Sequence, residues 1–228
     1  MTDYVISVPP IPSLPVEGTD ARFPVRRIIC VGRNYGAHVR EMGGDPKEQK
    51  PIFFTKPADA VVPPGGEVPY PSSTRNFHHE LELVVALKGG GADLTPAQVP
   101  DLIFGYAAGV DLTRRDLQNE YKDKGQPWDA SKGFDASAPI GVIRPAAEAG
   151  DPQGRLTLKV NGQIRQDAPL TDMILSVAEV IAEASKLWRL EGGDLIFTGT
   201  PEGVGPLQRG DRVEGEIEGV GSVAFTVS

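Results

Sequence analysis

Proline and glycine punctuate this chain so often that long elements have little room to form. It carries 21 prolines and 27 glycines among 228 residues. Proline removes a backbone donor and glycine weakens helix and strand interiors. The expected product is many short strands joined by turns, with a few short helices. At 39% apolar content the chain can bury a full core. It shows no internal repeat. Residues 1–24 read as an N-terminal arm, with a strand-like run at 5–8 and a connector stiffened by Pro9, Pro10, Pro12 and Pro15. Residues 25–228 read as a single β-rich α+β domain.

Charge narrows the function. A net charge of −8 argues against a nucleic-acid or anionic-membrane surface. No apolar run approaches the ~20 residues of a membrane span. The first ten residues lack the basic and apolar regions of a signal peptide. One cysteine, Cys30, sits in the apolar run Ile28-Ile29-Cys30-Val31 and reads as a buried, inert thiol. A reducing, cytoplasmic setting is the expectation.

The most informative run is Glu80-Leu81-Glu82-Leu83-Val84-Val85-Ala86-Leu87. At strand period Leu81, Leu83, Val85 and Leu87 share one face, and Glu80 and Glu82 share the other. Two adjacent carboxylates favour a compensating cation, and a hard divalent ion such as Mg²⁺, Mn²⁺ or Ca²⁺ prefers oxygen ligands. The alternative is the wet face of a half-exposed antiparallel strand. Asp111 ends the next strand, residues 103–112, whose Gly105, Ala107, Ala108 and Gly109 permit close backbone approach. If the two strands are neighbours, three carboxylates meet; otherwise Asp111 caps a turn. His78 and His79 fit a packing role better than ligation, and no zinc-type Cys/His spacing occurs.

Other local signals complete the pass. Asn34 is the expected N-cap of a helix closing at Gly43-Gly44, and Thr113 that of a helix ending at Gly125. His38 and Glu41 then share one helix face, as a general base and its orienting carboxylate would, or as a plain surface pair. Arg33, Lys56, Arg115, Lys122 and Lys132 form a cationic set suited to an anion. Asn161-Gly162 marks a type I′ hairpin over residues 156–166, and residues 174–188 repeat at helical spacing. The run from Thr198 to Gly205 has no nucleotide-binding pattern. It reads as a turn presenting backbone N–H groups and the Thr200 hydroxyl to an oxyanion.

Five runs together resemble the fumarylacetoacetate hydrolase family: Cys30-Val31-Gly32-Arg33-Asn34-Tyr35, His79-Glu80-Leu81-Glu82-Leu83, Gly109-Val110-Asp111-Leu112-Thr113, Leu158-Lys159-Val160-Asn161-Gly162, and the run Gly193 to Gly205. Thr113-Arg114-Arg115-Asp116-Leu117-Gln118 and Gly125-Gln126-Pro127-Trp128-Asp129 are similar to its short acylpyruvase and fumarylpyruvate hydrolase branch. The resemblance implies a mixed β-sheet roll, a homodimer, and Mg²⁺ or Mn²⁺ (Ca²⁺ in a crystal) on Glu80, Glu82 and Asp111. It implies a water-activating dyad of His38 and Glu41 on a lid helix, with Lys132 as active-site lysine. Arg33, Arg115, Gln118 and Thr200 are expected to face a small anionic 2-oxo acid. Val31 stands roughly where the long branch has a further metal-binding aspartate, so three carboxylates plus water are expected here. The implied reaction is hydrolytic C–C cleavage of a 2,4-dioxo acid. The same site would also serve oxaloacetate decarboxylation or 2-oxo acid tautomerisation, and a non-catalytic acid-binding domain stays open.

Overall fold

A computed structural model describes residues 3–45 and 51–228. At its centre lies a six-stranded mixed sheet in the order Arg144–Pro145, Ile103–Val110, Leu81–Leu87, Asp194–Phe197, Arg27–Gly32, Ile52–Lys56. Within it only Asp194–Phe197 and Arg27–Gly32 run parallel. A four-stranded antiparallel sheet packs against one face, ordered Gln163–Pro169, Arg155–Val160, Arg212–Ile217, Gly221–Thr226. Its first turn has φ of 51° at Asn161 and 77° at Gly162, as the type I′ reading requires. A small third sheet joins Gly205–Leu207, Phe77–His79 and Thr113–Arg114. This is the β-rich mixed-sheet fold expected from the sequence.

The Leu81–Leu87 strand is buried along its whole length. Leu81, Leu83, Val85 and Leu87 pack with Leu156, Leu158, Val213 and Val223 from the four-stranded sheet. Val84 and Ala86 face the other way, into a second core of Ile28, Leu195, Phe197, Leu14 and Phe23. The half-exposed alternative for this strand therefore fails: Glu80 and Glu82 lie on a covered face. Cys30 is buried in that second core, and burial pushes its thiol well above the ordinary range.

Several boundaries differ from expectation. Residues 5–8 form no strand, and Tyr4, Val5, Ile6 and Val8 are exposed. Half of the expected connector is folded: Ser13–Pro15 pairs with Arg22–Pro24 and buries Leu14 and Phe23. Tyr35, not Asn34, precedes the Gly36–Glu41 helix. Asn34 is drawn instead to tertiary partners, donating to the carbonyls of Leu175 (3.0 Å) and Thr198 (2.8 Å). Thr113 lies in a strand, and the Arg115–Lys124 helix follows Arg114, ending as expected at Gly125 with φ 64°. The later helix, Val177–Leu187, starts after Ile174 because Ser176 and Glu179 form a reciprocal capping box. No helix among the described residues is long and apolar enough to cross a membrane.

Candidate active site

Register brings the carboxylates together. Leu81 faces Val110 and Glu82 faces Gly109 across the sheet, and the Asp111 N–H donates to the Glu80 carbonyl at 2.8 Å. Gly109 has to be small: a Cβ there would lie 2.5 Å from Val84 and 3.0 Å from the Phe197 ring. One carboxylate oxygen from each of Glu80, Glu82 and Asp111 then lies within 4.8 Å of the others. All three residues are buried.

Cations surround two of these acids. Lys132 Nζ lies 2.8 Å from Glu80 Oε2, 2.7 Å from Asp111 Oδ2 and 2.7 Å from Thr113 Oγ1. Lys56 Nζ is 2.8 Å from Asp111 Oδ1, and it also donates to the carbonyls of Leu112 and Lys132. Arg115 donates to Glu80 Oε1 and to Gln118 Oε1. Burial opposes charge on Glu80, but Lys132 and Arg115 outweigh it and hold the carboxyl far below its usual range. Burial likewise opposes charge on Lys132, and Asp111 and Glu80 reverse the effect, raising it.

Glu82 is the exception. It accepts the Gly199 N–H at 2.7 Å and has no ion pair among the described residues. Burial, then the charges of Asp111 and Glu80, push its carboxyl well above the ordinary value. The missing positive charge and the all-oxygen donor set fit a hard divalent cation, and Glu80, Glu82 and Asp111 form a divalent metal site.

The loop after Phe197 locks the site from above. Thr198 and Thr200 donate their hydroxyls to the carbonyls of Leu83 (2.9 Å) and Leu81 (2.8 Å). Gly199, at φ 96°, directs its N–H at Glu82, and Gly203 N–H donates to Glu41 Oε1 at 3.0 Å. The turn does present N–H groups to oxyanions, but these two belong to the protein's own carboxylates. Glu41 in turn lies 3.0 Å from His38 Nδ1. Burial would raise Glu41, and its hydrogen bonds to His38 and Gly203 outweigh it, keeping the carboxyl below its ordinary value. His38 is buried while Glu41 is exposed, so the imidazole half of the pair is covered and the carboxylate half meets solvent.

A cavity of about 260 Å³ collects Glu80, Glu82, Asp111, His38, Lys132, Arg33, Arg115, Gln118 and Thr200. Glu41 stands behind His38. Val31 also lines the cavity, leaving three carboxylates there among the described residues. Sequence reasoning missed Gln166. Its amide donates to Thr200 Oγ1 (2.7 Å) and to the Pro201 carbonyl (3.1 Å), and its oxygen accepts Leu81 N–H (2.9 Å). A polar residue in the inward register of the Gln163–Pro169 strand was the available signal. His79 Nδ1 also meets Gln166, at 3.2 Å, while His78 lies 3.4 Å from Arg115. Burial, the largest cause for each, lowers both imidazoles to about 4, and they support the site without joining the carboxylate cluster.

Fold and site together define a metal-dependent enzyme built on a β-rich mixed sheet. The sequence pattern of the fumarylacetoacetate (FAA) hydrolase C-terminal family matches residues 27–228, and the chain belongs to that family. It is 45% identical over 204 residues to the mitochondrial oxaloacetate tautomerase of Bos taurus, covering 89% of this chain and 91% of that one. To the oxaloacetate tautomerase of Escherichia coli it is 42% identical over 205 residues, covering 89% and 93%. The fumarylpyruvate hydrolase of Pseudomonas aeruginosa, crystallised with Mn²⁺ and pyruvate, superposes with a TM-score of 0.96 at 47% identity, covering 99% of both chains.

Proposed function

We propose that this protein is a metal-dependent hydrolase that cleaves a 2,4-dioxo acid, of the fumarylpyruvate or acylpyruvate type, to pyruvate and a carboxylic acid. The observation that carries this reading is the His38–Glu41 pair placed at the same cavity as the three carboxylates. A hydrolase needs a base that activates water beside its metal, and the pair supplies one. The full-length match to a fumarylpyruvate hydrolase supports it. We take the working assembly to be a homodimer.

Glu80, Glu82 and Asp111 would hold Mg²⁺ or Mn²⁺, which when bound supplies Lewis-acid stabilisation of negative charge on the 2-oxo end of the substrate. Lys132, Lys56 and Arg115 hold the ligating carboxylates in place. Glu41 fixes the His38 ring with Nδ1–H toward itself, a tautomer inferred from the contact, which leaves Nε2 as proton acceptor. His38 takes a proton from water as its oxygen bonds to C4. The C3–C4 bond then breaks, the acyl carbon leaves as a carboxylic acid, and C3 of the pyruvate enolate recovers a proton from His38.

A second reading, oxaloacetate tautomerase, is favoured by the two curated relatives. It uses the same metal site to move a proton at C3 without water attack. A panel of fumarylpyruvate, maleylpyruvate, acetylpyruvate and oxaloacetate separates the two, with pyruvate release and enol absorbance both followed. We expect pyruvate from a dioxo acid, abolished by chelator and restored by Mg²⁺ or Mn²⁺. Keto–enol interconversion of oxaloacetate with no dioxo acid cleaved would replace the hydrolase by the tautomerase.

A further inference from the structure

Three of the five cations in the sequence's basic set are already engaged. Lys56, Lys132 and Arg115 touch Asp111 or Glu80. Arg33 and Lys122 line the same cavity, and among the described residues neither side chain forms an ion pair or hydrogen bond. What sets these two apart is their place. Together with Phe54 and Trp128 they border both the catalytic cavity and an adjoining cleft of about 540 Å³. The Phe54 and Trp128 rings are 5.9 Å apart at 55°.

Arg33 has a second peculiarity. Its φ of 68° is in the left-handed region, which a residue with a side chain seldom adopts and which clusters at ligand clamps. Burial lowers its guanidinium from the ordinary value, and no acid is placed to offset that. The metal end of the cavity is matched to the 2-oxo acid end of a substrate. A chain reaching from there toward Trp128 brings its far end to Arg33 and Lys122.

We propose that Arg33 and Lys122 bind a second carboxylate, at the acyl end of the substrate, and so select dianionic dioxo acids over those with an uncharged acyl group. The planar fumaryl chain has this form, and Phe54 and Trp128 offer it flat apolar walls. This specificity rests on the proposed function for the orientation of the substrate, with its 2-oxo end at the carboxylates.

Binding of two ligands that cannot be cleaved tests it. 2-Oxoheptanedioate and 2-oxoheptanoate have equal length and a 2-oxo acid head, lack the 4-oxo group, and differ only in the distal carboxylate. Calorimetry on the Mn²⁺-loaded protein should find the dianion bound at least about tenfold tighter, in line with a charge-assisted hydrogen bond. Arg33→Met combined with Lys122→Met should erase that gap. Lys122→Met alone, on an exposed stretch of helix, should narrow it at least threefold even if the double variant fails to fold. Equal affinities in the wild type, or a gap left undiminished by Lys122→Met, overturns the proposal. The gap does not depend on turnover. A dianion preference without cleavage of any dioxo acid would sink the hydrolase reading alone, and cleavage without the preference would sink only the role of Arg33 and Lys122.

Discussion

At the scale of single residues, the environment assigns different work to chemically equal groups. Glu80 and Glu82 are two apart on one face, yet Lys132 and Arg115 hold the first ionised while the second, lacking a cation, is pushed up. The imidazole of His38 owes its orientation to Glu41, and Glu41 owes its own to the Gly203 N–H. Removing the base should therefore cost more than loosening it. His38→Ala is expected to lower kcat by about 10²–10⁴, the usual worth of a general base, with a smaller loss for Glu41→Gln. Steady-state turnover of the best dioxo acid from the panel measures both. Near-wild-type kcat in His38→Ala would remove His38 from the mechanism. Retention of oxaloacetate enolisation beside lost hydrolysis would place its role specifically at the water.

At the scale of elements, the Val177–Leu187 helix shows how local chemistry sets a boundary. Ser176 Oγ accepts the Glu179 N–H at 3.3 Å, and Glu179 Oε2 accepts the Ser176 N–H at 2.8 Å. The Ser176 N–H and, at 2.8 Å from the same oxygen, the Ser176 hydroxyl both donate to the ionised Glu179 carboxyl and lower it, the backbone bond more. Ser176→Ala should cost about 1 kcal/mol, as loss of an N-cap does, read by denaturant unfolding. The sign with pH follows from linkage. A carboxyl depressed in the folded state adds stability present above its unfolded pKa and lost as pH falls through the folded value. Ser176→Ala keeps the backbone donor and removes only the hydroxyl's, so the difference between wild type and variant should narrow in part below about pH 4, and a constant difference would deny the hydroxyl its share. This helix and the 155–169 hairpin were legible because period and turn residues are local signals. Asn34 and Thr113 were misread as N-caps for the complementary reason. Each hydroxyl or amide has the right chemistry for a cap, but a partner more than twelve residues away (Thr198 for Asn34, Lys132 for Thr113) claims it. Register alone marks Gln166 as inward, but its role is not local, because only the tertiary arrangement puts Leu81, Thr200 and Pro201 around it.

At the scale of the whole molecule, the fold and the site share one strand. The odd residues of Leu81–Leu87 hold the larger core together, while Glu82 shares its other face with Val84 and Ala86 in the smaller one. That second face could not be read from alternation alone, because what covers it comes from residues as far apart as Leu14 and Phe197. The consequence is thermodynamic: three carboxylates are folded into the interior, and a cation that binds only the folded arrangement must stabilise all of it. At a hundred times its Kd such an ion adds about 2.7 kcal/mol. For a chain of this size that corresponds to a rise in Tm of about 5–10 °C. Differential scanning calorimetry across a Mn²⁺ or Mg²⁺ titration should show the midpoint climbing with the logarithm of metal concentration. Glu82→Gln keeps the shape of the side chain and removes the charge that has no partner. It should unfold at or above the metal-free wild-type midpoint and lose most of the metal-dependent rise. A wild type indifferent to metal, or a Glu82→Gln protein that climbs as steeply, would separate the carboxylate cluster from metal binding.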